Sequence, residues 1–191
     1  MPRNSRQARR SRTNPDRPTQ TTPANIEAQL LEAVRGDAYW EAVLERRPEP
    51  AVWSLHLAIF AEPFLQYVFD GLKTVESRFS MRRVAPYACV GPGDVVLVKQ
   101  VSGPVLGVFR VADAWFYRLD PASWSLIRRE YTAALCAQDP IFWERRSSAS
   151  FASLMRIDHP RRIEPIQVAK RDRRGWVVLR PAQLGQLAMA L

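Results

Sequence analysis

The feature that most constrains this chain is a pair of neighbouring apolar runs, DVVLVKQ and PVLGVFRVADAWFY, separated only by Val101-Ser102-Gly103. Both runs are dense in β-branched and aromatic residues, which suit a pleated, half-buried surface. They are the strongest strand candidates in the sequence, so any fold proposed for the chain must contain a sheet. The second run is long and carries Gly107 inside it. A bulge or bend is expected there, as the wall of a curved barrel requires.

The remaining elements arrange themselves around this pair. SLHLAIF reads as a short strand ending before Ala61-Glu62-Pro63. In EPFLQYVFDG, Phe64, Leu65, Val68 and Phe69 form a helical face, Pro63 suits the first turn and Gly71 stands where a terminating glycine belongs. KTVESRFS then alternates as a strand, and Gly91-Pro92-Gly93 supplies a turn. PASWSLIRREYTAALCA returns to helical spacing with Trp124, Ile127, Tyr131 and Leu135 on one stripe, and DPIFWERR reads as a further turn of helix. SLMRI, IEPIQV and WVVLR are read as three short closing strands. Upstream, Ile26, Leu30, Leu31 and Val34, and then Tyr39, Val43 and Leu44, recur at helical spacing on either side of Gly36-Asp37. That pair can end one helix and cap the next, giving one or two helices that dock on the main domain. The expected fold class is α+β, a small mixed β-barrel with flanking helices. The expected organisation is a disordered basic tail over 1–24, a helical leader and linker over 25–50, the main domain over 51–182 and a short tail over 183–191.

Composition narrows the function classes. The 191 residues are 47% apolar, enough for one ordinary core. The formal net charge is +9, which favours polyanionic partners. Five of those net charges sit in the first twenty residues, where six arginines face Asp16 alone, so the body of the chain is only mildly basic. The tail serves either as an electrostatic contact for phosphates or as a solubilising leader. An Arg-rich, acid-poor start also fits an organellar transit peptide, with cytoplasm as the default expectation. Cys89 and Cys136 are expected to be reduced, inert packing residues. His56 and His159 are the only histidines and no CxxC pair exists, so no metal and no cofactor are expected. His56 is read as structural. No apolar run is long enough to predict a membrane span.

One string carries chemistry: Gly71-Leu72-Lys73-Thr74-Val75-Glu76-Ser77-Arg78. A helix ends at the glycine and gives way to a strand whose alternation puts Thr74, Glu76 and Arg78 on one face. Lys73 lies at the junction, where its side chain can swing into a pocket mouth. Charged groups are costly to bury unless paired, so these residues either pair with one another or meet a ligand. The string resembles the GxKxxExR signature of the ASCH family, in the helix-to-strand context the family uses. The resemblance runs on through the Gly93-Asp94 turn and the two strong strands, covering roughly residues 55–176. It implies a PUA-like barrel with a cleft near the motif that accepts RNA, a nucleotide or a modified nucleoside. Lys73 and Arg78 would contact phosphate or base acceptors, and Glu76 would accept hydrogen bonds from a base edge or orient Lys73.

Some ASCH-like proteins are hydrolases, and the resemblance also raises that alternative. An amidohydrolase of acetylated cytidine needs a threonine three residues after the motif lysine, where this chain has Glu76. Thr74 offers only a displaced hydroxyl. A ribonuclease would use Lys73 as charge stabiliser and Glu76 as general base. A third reading makes the leader helices the interface of a protein adaptor. Beyond the motif, Trp115 and Tyr117 are candidates for base stacking, with core packing as the alternative. Lys99 is a candidate for the same cleft, and Lys170, Arg171, Arg173 and Arg174 are candidates for phosphate contact, each with a solvated loop as the alternative. Arg145-Arg146 and Arg161-Arg162 are local basic pairs that define no stripe.

Overall fold

The structure is a computed structural model that describes residues 22–45, 52–168 and 174–182. The stretch read as a disordered tail over 1–24 lies outside these residues except at its end, where Thr22 caps a helix and Pro23 and Ala24 form its first turn. That helix, α1 (Pro23–Ala33), is followed by α2 (Ala38–Glu45). Gly36, at φ +83°, breaks the chain between them. The Asp37 carboxylate accepts from the Tyr39 and Trp40 amides, each at 3.1 Å, and so starts α2 as the sequence suggests.

The main body runs β1 (Leu55–Phe60), α3 (Phe64–Phe69), β2 (Val75–Ser80), β3 (Val95–Gln100), β4 (Val105–Arg118), α4 (Pro121–Tyr131), α5 (Pro140–Glu144), β5 (Phe151–Ile166) and β6 (Trp176–Arg180). The strands form one mixed sheet in the order β2-β5-β4-β3-β1-β6, in which only β1 and β3 are parallel. The sheet curls into a half-barrel with helices against it. The expected strands SLMRI and IEPIQV are in fact one strand, β5, of 16 residues. Its polar middle, Asp158-His159-Pro160, looked like a loop. The strand survives because β2 pairs it only as far as Arg156, so Pro160 withholds no hydrogen bond from a neighbour on that side.

Burial follows strand alternation. Leu55, Leu57, Val95 and Leu97 face outward onto Ile26, Leu30, Val34, Trp40 and Leu44 of the leader helices. Ala58, Phe60, Val96, Val98, Phe109 and Met155 face into the curl, where Leu65 and Val68 of α3 join them. Val75, Ala152 and Leu154 cover the other end of the outer face together with α4 and α5. Among the described residues, no helix is long and apolar enough to cross a membrane.

His56 and Asp94 lock the β1–β3 pair from inside. The Asp94 carboxylate accepts from the Ser54 amide at 2.6 Å and from the Gly91 amide at 2.8 Å, and lies 3.0 Å from His56 Nε2. Trp176 Nε1 donates to His56 Nδ1 at 3.1 Å. An indole N–H can only donate, so Nδ1 is the acceptor and Nε2 carries the proton given to Asp94. The imidazole is neutral, fully partnered and buried, which gives it a structural role. Asp94→Ala would leave two backbone amides and the imidazole N–H without an acceptor. A loss of about 3 kcal/mol is expected, read as a lower denaturation midpoint at unchanged slope.

Candidate functional site

The backbone around the motif is tied down from both sides. Gly71 takes φ +70°, and the amides of Leu72 and Lys73 both donate to the Tyr67 carbonyl, at 3.0 and 2.9 Å. Thr74 and Val75 then donate to Ala134 O. Lys73 therefore does not swing at a pocket mouth, as its junction position suggested. Its side chain is buried, with Nζ donating to Leu135 O at 3.3 Å, lying 3.4 Å from Glu76 Oε2 and 5.4 Å from the Phe64 ring centre. Burial pulls the Lys73 pKa down, and the Glu76 carboxylate opposes that pull without cancelling it.

Glu76 is buried as well, and its other oxygen lies 2.8 Å from Arg78 Nε. Arg78 in turn bridges the open seam of the half-barrel. From the edge strand β2 it donates to Ile59 O of β1 at 2.9 Å and to Gly175 O, just before β6, at 3.2 Å. Its guanidinium lies between the Phe60 and Trp176 rings, 5.2 and 5.3 Å from their centres. Lys73, Glu76 and Arg78 thus form one ion chain at the seam, buried at Lys73 and Glu76 and half-buried at Arg78.

Two joined hollows open beside this chain. The larger, about 990 Å³, lies between α3 and α5. The smaller, about 450 Å³, is lined by Lys73, Glu76 and Arg78, and shares Glu62, Phe64, Phe79, Phe142, Arg145 and Arg146 with the first. Arg146 lies 3.6 Å over the Phe142 ring and donates to the Phe142 carbonyl at 2.7 Å. Its pKa is lowered by burial, with Glu76 opposing the shift. Arg145 is exposed at the mouth. Cys136 lines the larger hollow, and burial pushes its thiol pKa up.

The structure thus brings Lys73, Glu76 and Arg78 together and leaves most other candidates elsewhere. Thr74 is exposed and does not line either hollow. Lys99 is buried over the β3–β4 turn, donating to the carbonyls of Gly103 and Gln100, rather than reaching the cleft. Trp115 and Tyr117 point to the outer face under α4. Trp115 packs against Tyr131 at 5.6 Å, and the Tyr117 pKa is raised to about 12 by burial and its hydrogen bond to Tyr131. Both rings are thus half-buried on the outer face, away from the cleft. Arg174 is exposed next to Gly175, while Lys170, Arg171 and Arg173 lie outside the described residues. Of the cleft's own rings and arginines, Phe64 is read from the sequence only as part of a helical face and Arg145-Arg146 only as a local basic pair, while Phe79 and Phe142 are not candidates. DPIFWERR does contain a signal, Phe142 four positions before Arg146.

The curled mixed half-barrel, flanked by helices and carrying its charged motif between the first crossover helix and second strand, has the fold of solved ASCH structures. A crystal structure of a serine-to-alanine mutant of ZmASCH from Zymomonas mobilis superposes with a TM-score of 0.55 at 13% identity, covering 72% of this chain and 96% of that one. The structure titled ASCH from Zymomonas mobilis gives 0.51 at 13% identity, covering 66% and 88%. No family model and no curated protein matches the sequence.

Proposed function

We propose that this chain is a binding module that takes RNA or a nucleotide into the cleft beside Lys73, Glu76 and Arg78. The observation that carries this reading is the mixture of rings and guanidinium groups in one lining. Phe64, Phe79 and Phe142 line the cleft with ring surface, and Arg145 and Arg146 line it with guanidinium groups, Arg146 lying against the Phe142 ring. Bases stack on aromatic rings while guanidinium forks hold phosphate oxygens. The ion chain then fixes the cleft's shape, with Lys73 and Arg78 flanking the Glu76 carboxylate.

The same geometry favours binding over hydrolysis. Lys73 and Glu76 are engaged with each other, with Leu135 O and with Arg78, and the Thr74 hydroxyl lies outside the cleft. The adaptor reading has less support, because the leader helices spend Ile26, Leu30, Val34, Trp40 and Leu44 on the sheet.

The test is a titration of the full chain with short single-stranded RNA and with a panel of plain and modified nucleotides, followed together with product formation. Arg146→Ala is expected to weaken binding about tenfold and to flatten the salt dependence by about 0.7 in log–log slope, the value of one single-strand phosphate contact. Turnover by the wild type would make the chain an enzyme, and binding to nothing in the panel would remove the proposal.

A further inference from the structure

The face of the sheet that carries Glu76 and Arg78 does not end at the cleft. Antiparallel partners share a face, and residues two apart on a strand share it too. Arg78 pairs with Ser153 and Ser80 with Phe151, and across β5 those same residues pair with Phe116 and Arg118 of β4. Phe116 therefore stands on the same face as Arg78, two strand spacings away, or about 10 Å.

Ser153 stands between them in register and lines a further hollow. This hollow, of about 200 Å³, is lined by Arg78, Phe79, Ser153 and Trp176 on one side and by Val84 and Pro86 of the β2–β3 connection on the other. It shares Arg78 and Phe79 with the cleft. Past it the connection brings Tyr87 over the sheet, 5.5 Å from Phe116 and 5.2 Å from Phe151, with the Arg83 guanidinium 5.4 Å above the Phe151 ring.

This cluster is unlike the aromatic clusters beneath α4 and α5. Phe116 is 37% exposed, and Met81 and Val84 of the β2–β3 connection are 69% and 53% exposed. Arg82, Arg83 and Arg118 are exposed as well. The whole stretch 77–93 has three arginines and no acidic residue. One exposed ring, Phe116, backed by the half-buried Tyr87 and Phe151 and bordered by cations, complements a polyanion with flat, stackable groups, and a folded protein partner would call for acidic surface without that need for stacking.

We propose that Phe116, Tyr87 and Phe151, with Arg82, Arg83 and Arg118, form a second contact surface that holds the nucleotides of a single-stranded RNA leaving the cleft. The inference rests on the cleft reading above and adds the substrate class: a strand of several nucleotides rather than a lone nucleotide. The cleft takes one base, the hollow at the seam passes the backbone, and the outer rings take the bases that follow.

The experiment compares a labelled oligoribonucleotide of about twelve residues with a nucleoside monophosphate. Each is titrated against wild type, Phe116→Ala, Arg83→Glu and Arg146→Ala, with thermal melts to confirm folding. Arg83 is exposed, so its charge reversal tests the surface even where loss of the Phe116 ring disturbs packing. Both surface variants are expected to weaken the oligomer about tenfold and leave the mononucleotide unchanged, while Arg146→Ala weakens both ligands. Oligomer binding that falls with Arg146→Ala but not with either surface variant overturns the extension and leaves the cleft reading standing. Oligomer binding that falls with the surface variants alone also overturns it, because the strand then avoids the cleft. Failure of wild type to bind either ligand removes the cleft reading, and the extension with it.

Discussion

Glu76→Ala is expected to lower stability by about 3–5 kcal/mol, the range for removing one partner of a buried ion pair, and to lower Tm by about 10 °C for a chain of this size. The reason is what remains. Lys73 stays buried, 3% exposed, with Leu135 O as its remaining polar contact at 3.3 Å. Arg78 keeps its two carbonyl acceptors across the seam and suffers less. The double variant Lys73→Met/Glu76→Ala should therefore recover a large part of the loss, since it removes the stranded ammonium and keeps the volume.

The same pair of variants gives a pH test with a definite sign. Burial already holds the Lys73 pKa below the ordinary lysine value of 10.5, and loss of the Glu76 carboxylate lowers it further. Between that depressed value and 10.5, the unfolded chain holds a proton that the folded chain has released, so stability rises with pH in this window. Below the window the full penalty stands. The stability gap between Glu76→Ala and the double variant should accordingly narrow as pH climbs toward 10.5. A gap independent of pH would mean that Lys73 is not the source of the penalty.

What could be read from the sequence was whatever depends on local pattern. Alternation found β1 to β4, and the Pro63 to Gly71 interval found α3, because capping and periodicity act within a few residues. The motif's charges were recognised as requiring partners, and they are partnered. What alternation could not supply was the curl of the sheet. That curl brings Arg78 of β2 to Ile59 of β1, at the far side of the strand order, and turns an expected ligand contact into a seam bridge. Trp115 and Tyr117 were placed on one face by the same alternation, but which face meets the cleft depends on where α4 packs. Arg145 and Arg146 looked scattered because their neighbours in space, Phe64 and Phe79, lie more than sixty positions earlier in the chain. The joining of SLMRI and IEPIQV into β5 was hidden for a related reason. Whether a proline interrupts a strand depends on whether a neighbour needs its hydrogen bond, and here β2 has already ended.

Gly107→Ala is expected to cost about 3 kcal/mol or more, at the upper end for overpacking a core, and to impair ligand binding at a cleft whose lining does not include it. A Cβ at this position would lie 2.3 Å from Phe69 Cζ and 2.5 Å from the Arg161 carbonyl oxygen. The β4–β5 register shifts between Val105 and Gly107, so the glycine sits at a bulge where the wall bends and lets α3 approach. Phe69 is the last residue of α3, and the chain passes from it through Gly71 directly to Lys73. Displacing Phe69 therefore displaces the end of the helix on which Lys73 and Phe64 depend. Truncating the ring tests this route. Gly107→Ala/Phe69→Ala removes the clash with the side chain but not the one with Arg161 O, which belongs to the backbone of β5. Binding should recover more fully than Tm in the double variant, since the helix can return while the strands remain pushed apart. Equal recovery of both would place the whole effect on Phe69, and recovery of neither would place it on the β4–β5 wall.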